Sequence, residues 1–207
     1  MQERGILTVV SGFSGAGKGT VMKMLQELHA EYALSVSATT RTPRPGETDG
    51  TDYFFVSHDR FREMAARDEL LEFAEYNGNF YGTPRRWAEE RLEEGLNVIL
   101  EIEVQGARKI KEKYPEALLV FVTPPTIAEL KKRLTGRGSE TPDKIQARLR
   151  TAVREASYMS SYDYILINDS LEESVIRLHE IISAEHSRSS RNTDFINKIV
   201  KELDELE

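Results

Sequence analysis

The chain has 207 residues and no cysteine, and 28 Lys and Arg against 35 Asp and Glu give it a formal net charge of −7. That length supports one well-buried domain with insertions rather than two independent ones. The acidic balance argues against general nucleic-acid binding, and the missing cysteines exclude disulfides, cysteine-zinc sites and thiol catalysis.

Lack of cysteine also fits a reducing cytoplasm. The opening Met-Gln-Glu-Arg-Gly has no signal-peptide shape, and no run is long and apolar enough to span a bilayer. The expected location is therefore cytoplasmic, with neither membrane nor nucleic acid as partner.

Taken in order, Ile6–Val10 is an apolar, β-branched run without polar alternation, which predicts a strand buried on both faces. Gly12-Phe13-Ser14-Gly15-Ala16-Gly17-Lys18-Gly19-Thr20 follows. Val21, Met24, Leu25 and Leu28 then recur at helical spacing and predict a buried helix face. Strand, glycine-rich turn and helix is the setting in which such a loop binds phosphate. Gly12, Gly15 and Gly17 let the backbone curl so that successive N–H groups form an anion nest at the helix N-terminus. Lys18 adds a mobile charge for the β- and γ-phosphates of a nucleotide. The spacing fits the Walker A pattern up to its last position. There Gly19 replaces the usual Ser or Thr hydroxyl offered to Mg²⁺, and Thr20 follows one residue later. The plain alternative is a glycine turn with a solvated lysine; the flanking strand and helix favour the phosphate loop.

Further strand-like runs occur at Asn97–Ile102, Ala117–Val122 and Tyr164–Ile167, separated by helical patterns, which predicts an α/β fold with a parallel sheet. Thr83-Pro84 reads as a helix start with Glu94-Gly95 as its stop, and Thr126/Glu129 and Ser170/Glu173 fit capping boxes. Helix Leu171–His186 is expected to bury Val175, Leu178 and Ile182. Between Ser35 and Gly82 lies an α+β insertion: an Arg/Pro/Gly loop, a strand at Tyr53–Val56, a short helix around Phe61–Ala65, and a hairpin of Glu72–Tyr76 and Asn79–Tyr81 around Asn77-Gly78. Arg41 and Arg44, stiffened by Pro43, are placed to converge on a phosphate dianion, with Tyr53 and Tyr81 as hydroxyl donors. From Lys131 to Arg154, arginines 133, 137, 148, 150 and 154 surround Gly136, Gly138 and Pro142. Two readings stay open, a cover over phosphates and a solvated helix pair; beside a phosphate loop the cover is favoured. Phe195, Ile196, Ile199, Val200 and Leu203 form a last amphipathic helix that packs on the core or makes a homo-oligomer. The histidines, His29, His58, His179 and His186, show no metal spacing and are expected at surface or helix positions.

The glycine loop, Ser37-Ala-Thr-Thr-Arg-Thr-Pro-Arg-Pro-Gly-Glu, Asp52-Tyr-Phe-Phe-Val, Asn79-Phe-Tyr-Gly-Thr, Arg133-Leu-Thr-Gly-Arg-Gly and Ile167-Asn168-Asp169 stand in unbroken order. With them, the chain resembles guanylate kinases over about residues 4–186. The resemblance implies a P-loop NTPase three-layer core (1–36, 84–130, 157–186), a GMP-binding insertion (37–83) and a helical lid (131–156), followed by a C-terminal helix (187–207). It implies transfer of the ATP γ-phosphoryl group to GMP, and to dGMP, with Mg²⁺. By the same resemblance, ATP falls to Gly12, Phe13, Ser14, Gly15, Ala16, Gly17, Lys18, Gly19, Thr20, Arg137, Asn168 and Asp169. GMP falls to Ser37, Arg41, Arg44, Tyr53, Glu72, Tyr81, Thr83 and Glu103. The catalytic charges are Lys18, Arg41, Arg137 and Arg148, and Mg²⁺ sits on substrate phosphates and water, with Thr20 and Glu101 nearby. The family's usual Leu-Asp-Ile-Asp is here Leu100-Glu101-Ile102-Glu103, one methylene longer at each carboxylate. A phosphopeptide-binding relative and an AMP kinase are the rival readings. The intact glycine loop argues against the first, and Glu72 with Ser37 and Thr83 against the second.

Overall fold

A strand without polar alternation needs cover on both faces, and the fold supplies it for the first strand. The computed structural model describes residues 4–76, 78–136 and 142–206. Strand β1 (Leu7–Gly12) leads into α1 (Lys18–Leu28), β2 (Tyr32–Leu34), β3 (Ala38–Thr39), β4 (Phe54–Phe55) and α2 (His58–Ala66). Then come β5 (Leu70–Tyr76), β6 (Asn79–Pro84), α3 (Arg85–Glu93), β7 (Asn97–Glu101), α4 (Val104–Lys113) and β8 (Leu118–Thr123). The remainder is α5 (Ile127–Gly136), α6 (Pro142–Ala156), β9 (Tyr164–Ile167), α7 (Leu171–His186) and α8 (Thr193–Asp204).

Strands β2-β7-β1-β8-β9 form one parallel sheet with β1 at its centre. Residues alternate between two apolar layers. Ile6, Val10, Ile99, Val120 and Val122 pack with α1, α5 and α7, whereas Leu7, Val9, Val98, Leu100 and Leu119 pack with α3 and α4. In the central strands β1 and β8 neither face meets water, so the alternation a half-exposed strand shows is absent from them, whereas the edge strand β9 is largely exposed. The chain leaves β1 towards β2 on one side and leaves the adjacent β7 towards β8 on the other, which opens a crevice at their carboxyl ends, where α/β sheets bind ligands. A second sheet, β4-β3-β6-β5, is antiparallel except for β3 beside β4, and has its own apolar cluster of Ala38, Phe61, Met64 and Leu70.

Several sequence expectations shift in detail. The face of α1 turns slightly: Met22 is buried and Leu28 is exposed, because the helix ends at Leu28 and the chain swings away to β2. Leu25→Ala should therefore destabilise the protein by about 2–5 kcal/mol, as a fully buried leucine does. Leu28→Ala should stay within about 0.5 kcal/mol. Urea unfolding of the two variants checks this. The strand at Tyr53–Val56 shortens to Phe54–Phe55. Thr83 does not cap α3: it is fully buried in β6, and Pro84 takes the cap position without a side-chain bond. Gly95 ends α3 as expected, with φ +80°. Ser170 Oγ and Thr126 Oγ1 accept the N–H groups of Glu173 and Glu129. Glu129 gives its carboxylate to Arg133, so that capping box is half closed. Helix α7 runs as expected, with Val175, Leu178 and Ile182 buried. Helix α8 buries none of its residues, so its apolar face does not pack on the core. The turn at Asn77 and the Arg137–Thr141 stretch lie outside the described residues.

Candidate active site

The glycine loop is tied down from behind. Phe13 and Ala16 are buried, and the Phe13 ring meets Phe121 edge-on at 5.0 Å. Asn168 Nδ2 donates to the Ala16 carbonyl at 2.7 Å, Ser174 Oγ donates to Asn168 Oδ1 at 3.0 Å, and Arg133 donates to the same Ala16 carbonyl at 3.4 Å. Gly17 has φ +91°, and a Cβ there would lie 2.4 Å from Asn168 Nδ2, so only glycine lets the loop close against its support. The Ala16 carbonyl is held at the back and its N–H donates to the Phe13 carbonyl at 2.9 Å, so the curl of the loop is fixed by the protein itself. Asn168 is thus a buried brace, whereas Asp169 beside it is exposed. Lys18 Nζ folds over the loop and donates to the carbonyls of Gly12 (2.7 Å) and Phe13 (3.4 Å).

Two cavities open beyond the loop. The larger, of about 1180 Å³, is bounded by Ser14, Gly15, Gly17, Gly19 and Thr20 on one side and by Arg148, Thr151, Arg154 and Glu155 of α6 on the other. Arg148 also hydrogen-bonds Ser14 Oγ, so α6 reaches across to the loop. The smaller, of about 470 Å³, is bounded by Ser35, Ser37, Tyr53, Glu72, Tyr81 and Gly106. Lys18, Glu101 and Glu103 border both.

Glu72 is the buried carboxyl of the smaller cavity. Its Oε1 accepts from Thr83 Oγ1 at 3.1 Å. Burial pushes its carboxyl above the ordinary range, against the Thr83 hydrogen bond and Lys109. Thr83 stands behind Glu72 and does not border the cavity. A Cβ on Gly106 of α4 would lie 2.8 Å from Glu72 Oε2, so the bare glycine makes room for the carboxylate. Ser35 Oγ is buried and unpaired in the same cavity, a donor awaiting an acceptor. Gly106 and Ser35 carry no signal in the sequence read alone.

Arg41 and Arg44 both act on one carboxylate, that of Glu47. The Arg41 guanidinium forks the Glu47 carboxylate at 2.8 and 2.9 Å and lies over the Tyr53 ring at 5.2 Å. Arg44 is exposed and turns its backbone N–H to Glu47 Oε2 at 2.7 Å. Glu47 is the residue missed here: as the nearest carboxylate it satisfies both planar N–H pairs of the fork. Arg41's hydrogen bond, followed by that of the Arg44 N–H, holds the Glu47 carboxyl below its usual range. Tyr53 and Tyr81 do meet, with ring centroids 6.0 Å apart.

Where the cavities join, Lys18 faces an acidic group. Burial raises the Glu101 carboxyl, countered by Lys18 and reinforced by Glu103. Glu155, only 6% exposed, has one oxygen without a hydrogen-bond partner. Burial first, then Glu103 beside it, pushes Glu155 up to about 7. The signal for Glu155 was a charge three residues beyond Ala152 on the Ile145–Leu149–Ala152 face of α6. A Cβ at Gly19 would meet only Glu101 Oε2, at an ordinary 3.6 Å, so nothing in the backbone demands glycine there. The Glu101 carboxylate and the Thr20 hydroxyl border the same cavity, oxygen donors that fit a hard divalent cation completed by water.

A glycine loop and lysine at the carboxyl end of a central parallel strand, opening on two joined cavities, define a P-loop phosphotransferase. The guanylate kinase family model matches residues 4–185. Guanylate kinase of Lactococcus lactis subsp. lactis is 48% identical over 206 residues, covering 100% of this chain and 99% of that one. That of Clostridium perfringens (strain SM101) is 48% identical over 188 residues, 91% of this chain and 87% of its own. The crystal structure of guanylate kinase from Anaplasma phagocytophilum superposes with a TM-score of 0.74 at 34% identity, covering 92% of this chain and 90% of that one. The chain belongs to the guanylate kinase family.

Proposed function

We propose that the two cavities divide the substrates of the guanylate kinase reaction, with ATP over the glycine loop and GMP beside Glu72. The observation that supports this assignment is the common border of Lys18, Glu101 and Glu103, a place for phosphoryl transfer between two binding sites. Guanine presents N1–H and the 2-amino group side by side, and one ionised carboxylate accepts both; adenine puts an acceptor at N1. Glu72, propped by Thr83, is that carboxylate, and Ser35 and Ser37 are left to meet the rest of the base. GMP phosphate draws Arg41 from Glu47, joined by Arg44, Tyr53 and Tyr81. The exchange of one bidentate anion for another keeps the guanidinium paired throughout.

The attacking oxygen belongs to an ionised phosphate, so no general base is needed. The site's work is to overcome repulsion between two anions, align them and neutralise the charge that develops. Lys18, Arg148 and Arg41 supply that charge. Arg137, outside the described residues, joins them by its place in the motif. Glu101, through water, and Thr20 would hold Mg²⁺, which would supply positive charge to phosphate oxygens. Phe13, Ala16 and Asn168 shape the loop rather than touch ATP with their side chains. Segments 37–83 and 131–156 act as GMP-binding and lid parts that close on the core and exclude water. Among the described residues no helix is long and apolar enough to cross a membrane, and the reading of a cytoplasmic enzyme accords with that. Because dGMP carries the same base and phosphate, it is the second acceptor.

Initial rates of ADP formation from ATP and Mg²⁺, with GMP, AMP, CMP and UMP offered in parallel, test the assignment. GMP is expected to exceed the others by about 10⁴-fold in kcat/KM, the range a hydrogen-bonding pocket reaches. Comparable rates with AMP would overturn the base pocket. GMP binding without transfer would overturn the shared border as the reaction centre.

A further inference from the structure

His29 and Glu31 follow the end of α1, and His179 stands in α7, so the chain's linear spacing hides their meeting. In the fold α1 and α7 pack side by side on one face of the sheet. The two imidazoles stack with centroids 4.0 Å apart and planes at 14°. Glu31 Oε1 lies 3.5 Å from His29 Nδ1 and 3.9 Å from His179 Nδ1. The ligand atoms of the three residues all fall within 4.8 Å of one another, the one such group of His, Asp and Glu among the described residues.

In a tetrahedral site with bonds of about 2.0–2.1 Å, adjacent ligand atoms are roughly 3.4 Å apart. The carboxylate is at that separation from one ring and slightly beyond it from the other. The backbone that carries the three side chains is already pinned, and turning the stacked rings about their side-chain bonds is what coordination asks of the site. The His29 N–H donates to Leu25 O at 3.0 Å, Glu31 O accepts from the Asn97 N–H at 2.8 Å, and His179 lies inside a helix of 16 residues. Tyr32 is buried, and its hydroxyl lies 2.8 Å from His179 Nδ1. The other ring nitrogen, Nε2, lies 3.5 Å from Ser183 Oγ. A cation at Nδ1 takes the place of the Tyr32 hydroxyl, while Ser183 Oγ stands beside the outer nitrogen. Both rings are about a third exposed and Glu31 about half, which leaves a fourth position open to water.

Two imidazoles and one carboxylate select a borderline transition metal over Mg²⁺ or Ca²⁺, which prefer oxygen alone. We propose that His29, Glu31 and His179 bind one divalent transition-metal ion, probed as Zn²⁺, which staples the end of α1 and the edge strand β2 to α7. The site is independent of phosphoryl transfer, since α1 separates it from Lys18 by about 16 Å at 1.5 Å per residue.

The test is Zn²⁺ titration of EDTA-treated full-length protein at pH 7.5 against a chromophoric chelator, with thermal unfolding in parallel. One ion per chain in the micromolar range is expected, weakened at least about tenfold in both His29→Ala and His179→Ala. Zn²⁺ should raise the unfolding midpoint of the parent protein and not of the variants. Midpoints measured in EDTA establish that the variants are folded, and His179→Gln, which keeps a hydrogen-bonding side chain near Tyr32, provides a second folded comparison. Equal Zn²⁺ affinity in parent and variants, or no binding above the EDTA-treated baseline, overturns the proposal.

Discussion

Lys18→Ala should lower the rate of phosphoryl transfer to GMP by about 10²–10³-fold, the loss seen when one preorganised donor to developing charge is removed. The expectation rests on position. Lys18 borders both cavities and is the first residue of α1, so its ammonium adds to the partial positive charge of the helix N-terminus. Its hydrogen bonds to Gly12 and Phe13 hold the stem over the loop before a nucleotide arrives, which limits the ordering needed on binding. Removing the ammonium leaves Glu101 and Glu103 facing incoming phosphates uncompensated, so GMP–ATP repulsion is increased as well as unrelieved. Rapid-quench single turnovers should show the loss in the chemical step, with GMP affinity falling far less. Thermal unfolding should change little, because Lys18 bonds only to loop carbonyls. A variant that transferred phosphoryl at the parent rate would remove the shared border as the reaction centre.

Glu72→Gln should lower kcat/KM for GMP by about 10²–10⁴-fold and narrow its lead over AMP, since a buried pocket left with a mismatched polar group discriminates on that scale. The glutamine carbonyl can replace one acceptor, but its amide turns a donor towards a donor of guanine. Gly106→Ala should give a milder, roughly tenfold loss of the same parameter, because its Cβ at 2.8 Å presses on Glu72 Oε2 without removing charge. Stability should move the other way for Glu72→Gln. A carboxyl raised by burial costs the fold nothing at low pH, and the cost develops as pH climbs above the ordinary carboxylate range. Glutamine removes that cost, so unfolding midpoints at pH 8 should be at or above those of the parent, with the advantage disappearing towards pH 4. A variant that lost both GMP selectivity and its fold would instead make Glu72 a structural acid.

Much of the architecture was legible because it is local. Apolar runs without alternation marked the parallel strands, helical spacing marked α1 and α7, and Gly95 marked a stop; each depends on residues within a turn or two of one another. The phosphate loop was legible for the same reason, since Gly12, Gly15, Gly17 and Lys18 are neighbours in sequence and the curl they permit is a property of their own backbone. The motifs around Arg41, Tyr53 and Glu72 named the acceptor side by resemblance. What those side chains touch was not written there.

Contacts between distant segments were decided by the tertiary structure alone. Thr83 looked like a helix cap and became the prop of Glu72, because strand pairing turned its hydroxyl inward. Arg41 looked free and is held by Glu47, because the loop folds back on itself before any phosphate is considered. Asn168 braces the glycine loop, and Glu155 of α6 comes beside Glu103 at the larger cavity. His29 and His179 met only when α1 and α7 packed together. Periodicity and caps are set by short-range sterics and hydrogen bonding, which the sequence determines by itself; partners in a site are set by how whole layers stack, which only the folded chain decides.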